Sequence, residues 1–338
     1  MEKLKTGLLG YGAVAHMHAK SLALCPEREF TGVYGPNPEK AKQFADQYGV
    51  RVFSSREELY AENDVIHICT PSGLHCSDTL DALAHNKHTM CEKPLCMTLE
   101  ELAQIEKALE KTDAQLMPIS QFRYSKAYAT VKQGVEAGSF GKLLSANIKM
   151  MYYRSPEYYS SAPWRGTMAH DGGVIMNQSI HGVDVTLGWL GKPVCVTAVA
   201  KTMSHDIEAP DTVIALVEME NGATVIFETS TASFPGYPRR YCMNGTNGAM
   251  EMHEETIIRW DIPKNPDGSP DIGTEVGFSG ASDPMNIDAS LHANQFTEFS
   301  RYLLHGELPS YSFADAKQTM RLIHAIFQSQ KEDRKVYL

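Results

Sequence analysis

Several short runs in this 338-residue chain combine residue types that do chemistry. Gly10-Tyr11-Gly12-Ala13-Val14-Ala15 fits GxGxxG/A. In that pattern the first glycine allows a tight turn, the second lets the backbone approach a pyrophosphate, and the small residue at 15 lets helix and strand close together. Glycine-rich turns also occur without ligands, but this one lies between an apolar run and a helical run near the N-terminus, which argues for dinucleotide binding. In such folds the ribose is read at the end of the second strand, here Val33-Tyr34-Gly35-Pro36-Asn37. Neither a carboxylate nor an arginine stands there, so NAD and NADP both remain open. Gly35 and Asn37 are candidate cofactor contacts, with Asn37 equally readable as a helix cap.

Two more runs follow strands whose carboxyl ends open toward the ligand crevice of a doubly wound sheet. Thr70-Pro71-Ser72-Gly73-Leu74-His75 reads as a cofactor-facing turn or as a plain turn and N-cap. Cys91-Glu92-Lys93-Pro94 places a lysine there, and a partly desolvated ammonium beside an oxidised nicotinamide can exchange a proton with a substrate hydroxyl. On spacing alone Lys93 is also a surface lysine in a turn. Further along, Trp164-Arg165 precedes Asp171-Gly172-Gly173 and a helical stretch carrying Asn177, His181 and Asp184. The spacing i, i+4, i+7 predicts one helical face, serving either as a packing device or as a proton-exchanging site at His181. His16-Met-His18 and His253-Glu-Glu255 invite a metal reading, but i and i+2 diverge on a helix and no third ligand stands at useful spacing, so no metal is expected.

The elements that must position these residues come in two textures. Leu4–Leu9, Phe30–Tyr34, Val65–Cys69, His88–Cys91 and Gln115–Ile119 read as apolar strands. They alternate with helices at Ala13–Leu24 and Glu39–Tyr48 and after the capping-box patterns Ser55-Arg-Glu-Glu58 and Thr98-Leu-Glu-Glu101. Such alternation predicts a parallel sheet covered on both faces. After Gln121 the runs Leu143–Tyr153, Val194–Lys201, Thr212–Glu220, Ala223–Ser230, Tyr241–Asn244, Ala249–His253 and Thr256–Trp260 predict a large, mostly antiparallel sheet. Asn221-Gly222 is read as a two-residue hairpin turn and Val174–Leu190 as one long helix. The tail Asp288–Gln330 is helical with a break at Gly306–Pro309, and Pro263–Asp283 reads as a surface loop. The expected fold class is α/β, with a Rossmann doubly wound domain over residues 1–121 and an α+β domain over 122–338 for substrate binding and oligomerisation.

A net charge of −10 disfavours nucleic acid and anionic membranes as partners. Seven cysteines without a CxxC pair read as reduced thiols, and no apolar run approaches a membrane span or signal peptide, so a cytoplasmic protein is expected. Neither a GxSxG elbow nor a GxxxxGK[ST] loop occurs.

In order, GLLGYGAVAHMHAKSL, TPSGLH, CEKPL, PWRG and DGGVIMNQSIHGVD make the chain resemble the Gfo/Idh/MocA oxidoreductases, which include inositol dehydrogenases and glucose–fructose oxidoreductases. The resemblance covers nearly the whole chain. It implies an NAD(P)-dependent enzyme acting at a secondary carbinol of a sugar or cyclitol, and a homodimer or homotetramer formed through the open sheet. By position, Lys93 with Glu92 and Pro94 resembles the family's catalytic lysine motif, with Glu92 and Lys93 also expected to contact the cofactor, and His181 resembles its hydroxyl-holding histidine. Many relatives carry aspartate four residues before that histidine. Here Asn177 stands there, as in some nucleotide-sugar dehydrogenases of the family, which shifts the expected proton transfer toward Lys93, with Asp184 orienting His181. Thr70, Pro71 and His75 resemble the cofactor-facing turn and Trp164-Arg165 the segment near the nicotinamide. Gln121, Arg123, Tyr153, Arg165, Tyr237 and Arg239 are the substrate-side candidates. Two alternatives remain at this stage: glycoside cleavage by transient oxidation and elimination on bound NAD, and a non-catalytic dinucleotide or sugar sensor.

Overall fold

The structure is a computed structural model and describes residues 3–262 and 288–338. The expected loop at Pro263–Asp283 lies outside the described residues. The chain divides into two compact units, one of residues 3–121 with 288–316, the other of residues 122–262 with 317–338.

In the first unit β1 (Leu4–Leu9), α1 (Ala13–Leu22), β2 (Arg28–Tyr34), α2 (Pro38–Tyr48), β3 (Arg51–Val52), α3 (Arg56–Glu62), β4 (Val65–Ile68), α4 (His75–Ala84), β5 (His88–Cys91), α5 (Leu99–Leu109) and β6 (Leu116–Pro118) follow in turn. The strands form one parallel sheet in the order β3-β2-β1-β4-β5-β6, the arrangement of a dinucleotide-binding Rossmann domain. β4 is buried throughout, as a strand covered on both faces must be. The helix starts obey their sequence signals. Asn37 Oδ1 accepts from the Lys40 N–H with Pro38 at the first helical position, and Thr98 with Glu101 closes a complete capping box. At Ser55 only half the box forms, because the Glu58 carboxylate accepts from Ser54 and Arg51 instead.

In the second unit α6 (Lys126–Glu136), β7 (Leu143–Met151), α7 (Pro156–Ser160), α8 (Gly173–Asn177) and α9 (Ile180–Leu190) lead into β8 (Pro193–Lys201), β9 (Thr212–Met219), β10 (Thr224–Ser230), β11 (Arg240–Gly245), β12 (Gly248–His253) and β13 (Thr256–Asp261). After α10 (Ala289–His305) and α11 (Phe313–Glu332), β14 (Val336–Tyr337) closes an eight-stranded sheet in the order β13-β12-β11-β7-β10-β9-β8-β14. Every neighbouring pair is antiparallel except β7 with β10.

Three expectations change. Residues 288–316 belong with the Rossmann unit, so a continuous division after residue 121 does not hold. The reason is packing: Ala293, Phe296 and Phe299 of α10 enter the core formed by Leu8, Ala15, Ala19 and Met90, and Ser300 Oγ accepts from Arg28 Nε at 2.7 Å. The expected helix Val174–Leu190 is broken at Gln178-Ser179. There the Ser179 N–H reaches back to the Val174 carbonyl at 2.8 Å and its hydroxyl faces Thr229 on β10. The β9–β10 hairpin pairs Met219 with Ala223, giving a three-residue turn with Gly222 left-handed at φ 85°.

Candidate active site

The cofactor side is built at one rim of the parallel sheet. Leu9 pairs with Ile68 and Ile68 with Cys91, so β1, β4 and β5 end level, and Gly10–Gly12, Thr70–Pro71 and Glu92–Lys93 all leave the sheet at the same edge. Gly10 holds φ 108°, where a Cβ would lie 2.6 Å from the Cys69 carbonyl oxygen, so only glycine fits. Gly12 is the N-cap of α1 and brings no capping side chain. A Cβ there would meet no atom within 4 Å, and Gly12 and Ala13 are exposed while Ala15 is fully buried against the sheet. The helix start thus presents backbone N–H groups across open space, with Val14 half-buried in its first turn.

The remaining cofactor-side candidates are more tightly engaged. Asn37 uses Oδ1 to cap α2, and its N–H donates to Tyr11 Oη at 3.1 Å beside Gly35. Thr70 donates to Asp78 at 2.6 Å, and Pro71 is exposed. His75, 1% exposed, differs from the expectation of a cofactor-facing ring: its nitrogens lie 2.7 Å from the Pro94 carbonyl and 2.8 Å from the Thr70 carbonyl. It fastens the Thr70 turn to the Lys93-Pro94 turn. Lys93 itself is half-buried.

Glu92 also departs from the expected cofactor contact, because both of its oxygens turn into the unit. Oε1 lies 2.9 Å from His18 Nε2 and 3.5 Å from His292 Nε2, and Oε2 accepts the Lys93 N–H at 3.0 Å. Burial pushes the Glu92 carboxyl up, but the hydrogen bond from His18 and the approach of His292 outweigh it and hold the group well below the usual carboxylate range.

The substrate-side candidates other than Gln121 sit in the second unit. Asn177 ends α8, and its Nδ2 donates to the fully buried Asp171, whose other oxygen accepts the Gly166 N–H at 2.9 Å. His181 stands in the first turn of α9, its ring edge-to-face with Phe122 at 4.9 Å. The helix break means that Asn177 and His181 share no continuous helical face. The Asp184 carboxylate receives Arg123 at 2.7 and 2.9 Å and Thr319 at 2.9 Å, so the structure commits it to this buried cluster. The same contacts change the reading of Arg123, expected as a pocket donor and found as a buried ion-pair partner. Arg239 is likewise buried, pairing with Glu254 at 2.6 Å and with Glu255 at 2.5 Å and lying 3.8 Å over the Phe122 ring. Tyr153 and Tyr237 meet the same end of β7: Tyr153 packs edge-to-face on Phe234 at 5.1 Å, and the Tyr237 N–H donates to the Met151 carbonyl at 2.8 Å. Arg165 stacks over Tyr158 at 4.1 Å and Trp164 at 4.6 Å. Gln121, 3% exposed, closes the first unit's N-terminal segment.

Sequence reasoning missed Phe122 and the pairing of Asp171 with Asn177, although Asp171 lay in a motif already singled out. It also missed His292, roughly two hundred residues from Glu92, for which no local pattern existed.

A Rossmann sheet with an open glycine cradle, joined to a large mixed-sheet unit, defines an NAD-binding oxidoreductase class. Comparison with known proteins agrees. An oxidoreductase-family model with an NAD-binding Rossmann fold matches residues 4–120, and a Gfo/Idh/MocA C-terminal-domain model matches residues 128–251. The chain belongs to the Gfo/Idh/MocA family. It is 27% identical over 266 residues to the inositol 2-dehydrogenase of Rhizobium meliloti, covering 77% of this chain and 78% of that one. It is 27% identical over 356 residues to the D-apiose dehydrogenase of Rhizobium rhizogenes, covering 99% and 98%. Among solved structures, the WlbA dehydrogenase of Bordetella pertussis in complex with NADH and UDP-GlcNAcA superimposes with a TM-score of 0.90 at 25% identity, covering 100% of this chain and 98% of that one. The open space at Gly12 and the uncapped start of α1 fit a dinucleotide pyrophosphate. The described residues include no helix long and apolar enough to cross a membrane, and all seven cysteines are free.

Proposed function

We propose that the chain is an NAD(P)-dependent dehydrogenase or reductase acting at a secondary carbinol of a sugar, cyclitol or sugar derivative. The observation that carries this reading is the shared rim at which the Gly10–Gly12 cradle, the Thr70 turn and Lys93 leave the parallel sheet. A bound nicotinamide supplies the hydride acceptor. Lys93 is the principal acid–base group, taking the hydroxyl proton during oxidation and returning it during reduction. Asn177 and His181 hold the hydroxyl. The Asn177 amide, whose Nδ2 donates to Asp171, can hydrogen-bond a substrate hydroxyl.

Asn177 in place of aspartate, together with the similarity to the NADH and UDP-GlcNAcA complex, favours a nucleotide-linked sugar as the first substrate to try. Purified protein and Lys93→Ala are mixed with NAD or NADP and a panel of UDP-GlcNAcA, myo-inositol, D-apiose, levoglucosan and simple glycosides. Reduced nicotinamide formed by the parent protein, and lowered roughly 10²–10⁴-fold in Lys93→Ala, is the expected result. Glycoside cleavage without reduced cofactor would replace this reading with oxidation and elimination on bound NAD. Tight nucleotide binding with silence across the panel would leave the sensor.

We also propose a cytoplasmic homodimer or homotetramer. Its support is the outer face of the second sheet, where Val199, Ile214, Leu216 and Ile226 are exposed on paired neighbouring strands. The free cysteines suit a reducing compartment.

A further inference from the structure

Behind Lys93, inside the first unit, four ionisable side chains from four distant segments converge. His18 of α1, His67 of β4, Glu92 after β5 and His292 of α10 are each no more than 4% exposed. His18 Nε2 lies 2.9 Å from Glu92 Oε1, and His18 Nδ1 lies 2.9 Å from His67 Nδ1. The Phe296 ring packs against all three imidazoles. The nearby buried Arg28 is turned to Thr6 and Ser300.

With both rings neutral, the contacts of His67, His18 and Glu92 fit one arrangement of protons along that chain. Burial lowers His18 and drives His67 well below its ordinary value, so both rings are neutral and each carries a single N–H. Glu92, held ionised, can only accept, so the His18 proton sits on Nε2 and points at Oε1. The His18 Nδ1 is then a lone pair, and the facing His67 Nδ1 must be the donor. That leaves His67 Nε2 as a bare acceptor, and this buried atom is indeed without a hydrogen-bond partner. The reverse chain would require a protonated Glu92 and would strand an unsatisfied N–H donor at the same place.

We infer that Glu92 is a positioning residue for Lys93, its charge held by the directed chain His67 Nδ1–H to His18 Nδ1 and His18 Nε2–H to Glu92 Oε1, with His292 alongside. Oε2 then fixes the backbone N–H from which the lysine side chain departs. The carboxylate is therefore part of the proton-transfer machinery without touching cofactor or substrate. This inference rests on the assignment of Lys93 as the proton-transfer group.

The test combines two measurements on the full chain. With ¹⁵N-labelled histidine, NMR of the parent protein between pH 6 and 9 should find His67 as the Nδ1–H tautomer and His18 as the Nε2–H tautomer, neither titrating. In Glu92→Gln, the sugar most rapidly oxidised in the panel above should show kcat lowered roughly 10- to 100-fold, with NADH affinity changed less than about twofold. The acid limb of kcat should move to lower pH by about half a unit or more, since removing a negative charge from the adjacent residue disfavours the charged form of the lysine. A merely structural role would leave that limb in place. An unmoved limb with weakened NADH binding would overturn the inference and return Glu92 to the cofactor. Reversed tautomers, or a stoichiometric divalent ion held by His18, Glu92 and His292 in the purified protein, would overturn it as well. Retained turnover in Lys93→Ala would overturn the catalytic assignment and the positioning role together, whereas reversed tautomers with Lys93→Ala inactive would overturn the positioning role alone.

Discussion

At the scale of single residues, the two glycines of the cradle do different work and should fail differently when given a methyl group. Gly10→Ala places a Cβ against the Cys69 carbonyl at a positive φ, so it should lower stability, read as a fall in Tm without ligand. Gly12→Ala meets nothing in the free protein and should leave that Tm unchanged. It should instead weaken NADH binding about tenfold or more in a fluorescence titration, because the methyl fills the space a pyrophosphate needs. Lys93, Asn177 and His181 were legible as candidates because their motifs are local. The contacts around them were not. Asp171 holding Asn177, Phe122 against His181, and the imidazole chain behind Glu92 are contacts between segments that no spacing rule connects.

At the scale of elements, strands and helix starts were readable because they depend on nearest neighbours. Apolar runs mark β1, β4 and β5, and hydroxyl or amide caps begin α2, α3 and α5. The break between α8 and α9 was not readable, since Val174–Leu190 has no proline and its interruption depends on Ser179 meeting Thr229 across the sheet. The ion pair fastening α9 offers a direct test. Arg123, 5% exposed, faces Asp184, 3% exposed, and Thr319 of α11 closes the cluster. Removing one charge takes a buried counter-ion from the other, so Asp184→Ala should cost about 3–5 kcal/mol in denaturant unfolding. Replacing both residues with leucine and methionine should recover much of that loss, because the buried pair contributes little net stability over apolar packing.

At the scale of the whole molecule, the imidazole cluster gives stability a direction with pH. His18 and His67 have folded pKa values below their unfolded value of about 6.5, so the unfolded chain binds more protons as pH falls through that range. Their contribution is complete above pH 6.5 and declines toward pH 5. Glu92, depressed in the folded state, keeps its contribution above the unfolded carboxylate value of about 4.3 and loses it below. Urea midpoints should therefore fall between pH 7.5 and pH 5.5, and His67→Phe should flatten that decline. Association is the second property at this scale. If the outer sheet face joins subunits, the parent protein should sediment at two or four times the chain mass, and Ile214→Lys with Leu216→Lys should yield the single chain. Both side chains are about half exposed in the isolated chain, so the change should spare the fold itself.

The amino-acid order determined the dinucleotide cradle, the alternation that makes a parallel sheet, the β-rich second half and the family to which the chain belongs. Each of these is written in contiguous or closely spaced residues, where periodicity, turn chemistry and motif spacing act. The tertiary structure alone decided that α10 completes the Rossmann core, that Arg123 and Arg239 are consumed in buried ion pairs, and that Glu92 faces inward to His18 and His292. These outcomes turn on which distant side chains exclude water from one another. A buried charge must find its partner wherever folding brings one, and sequence separation carries no record of that meeting.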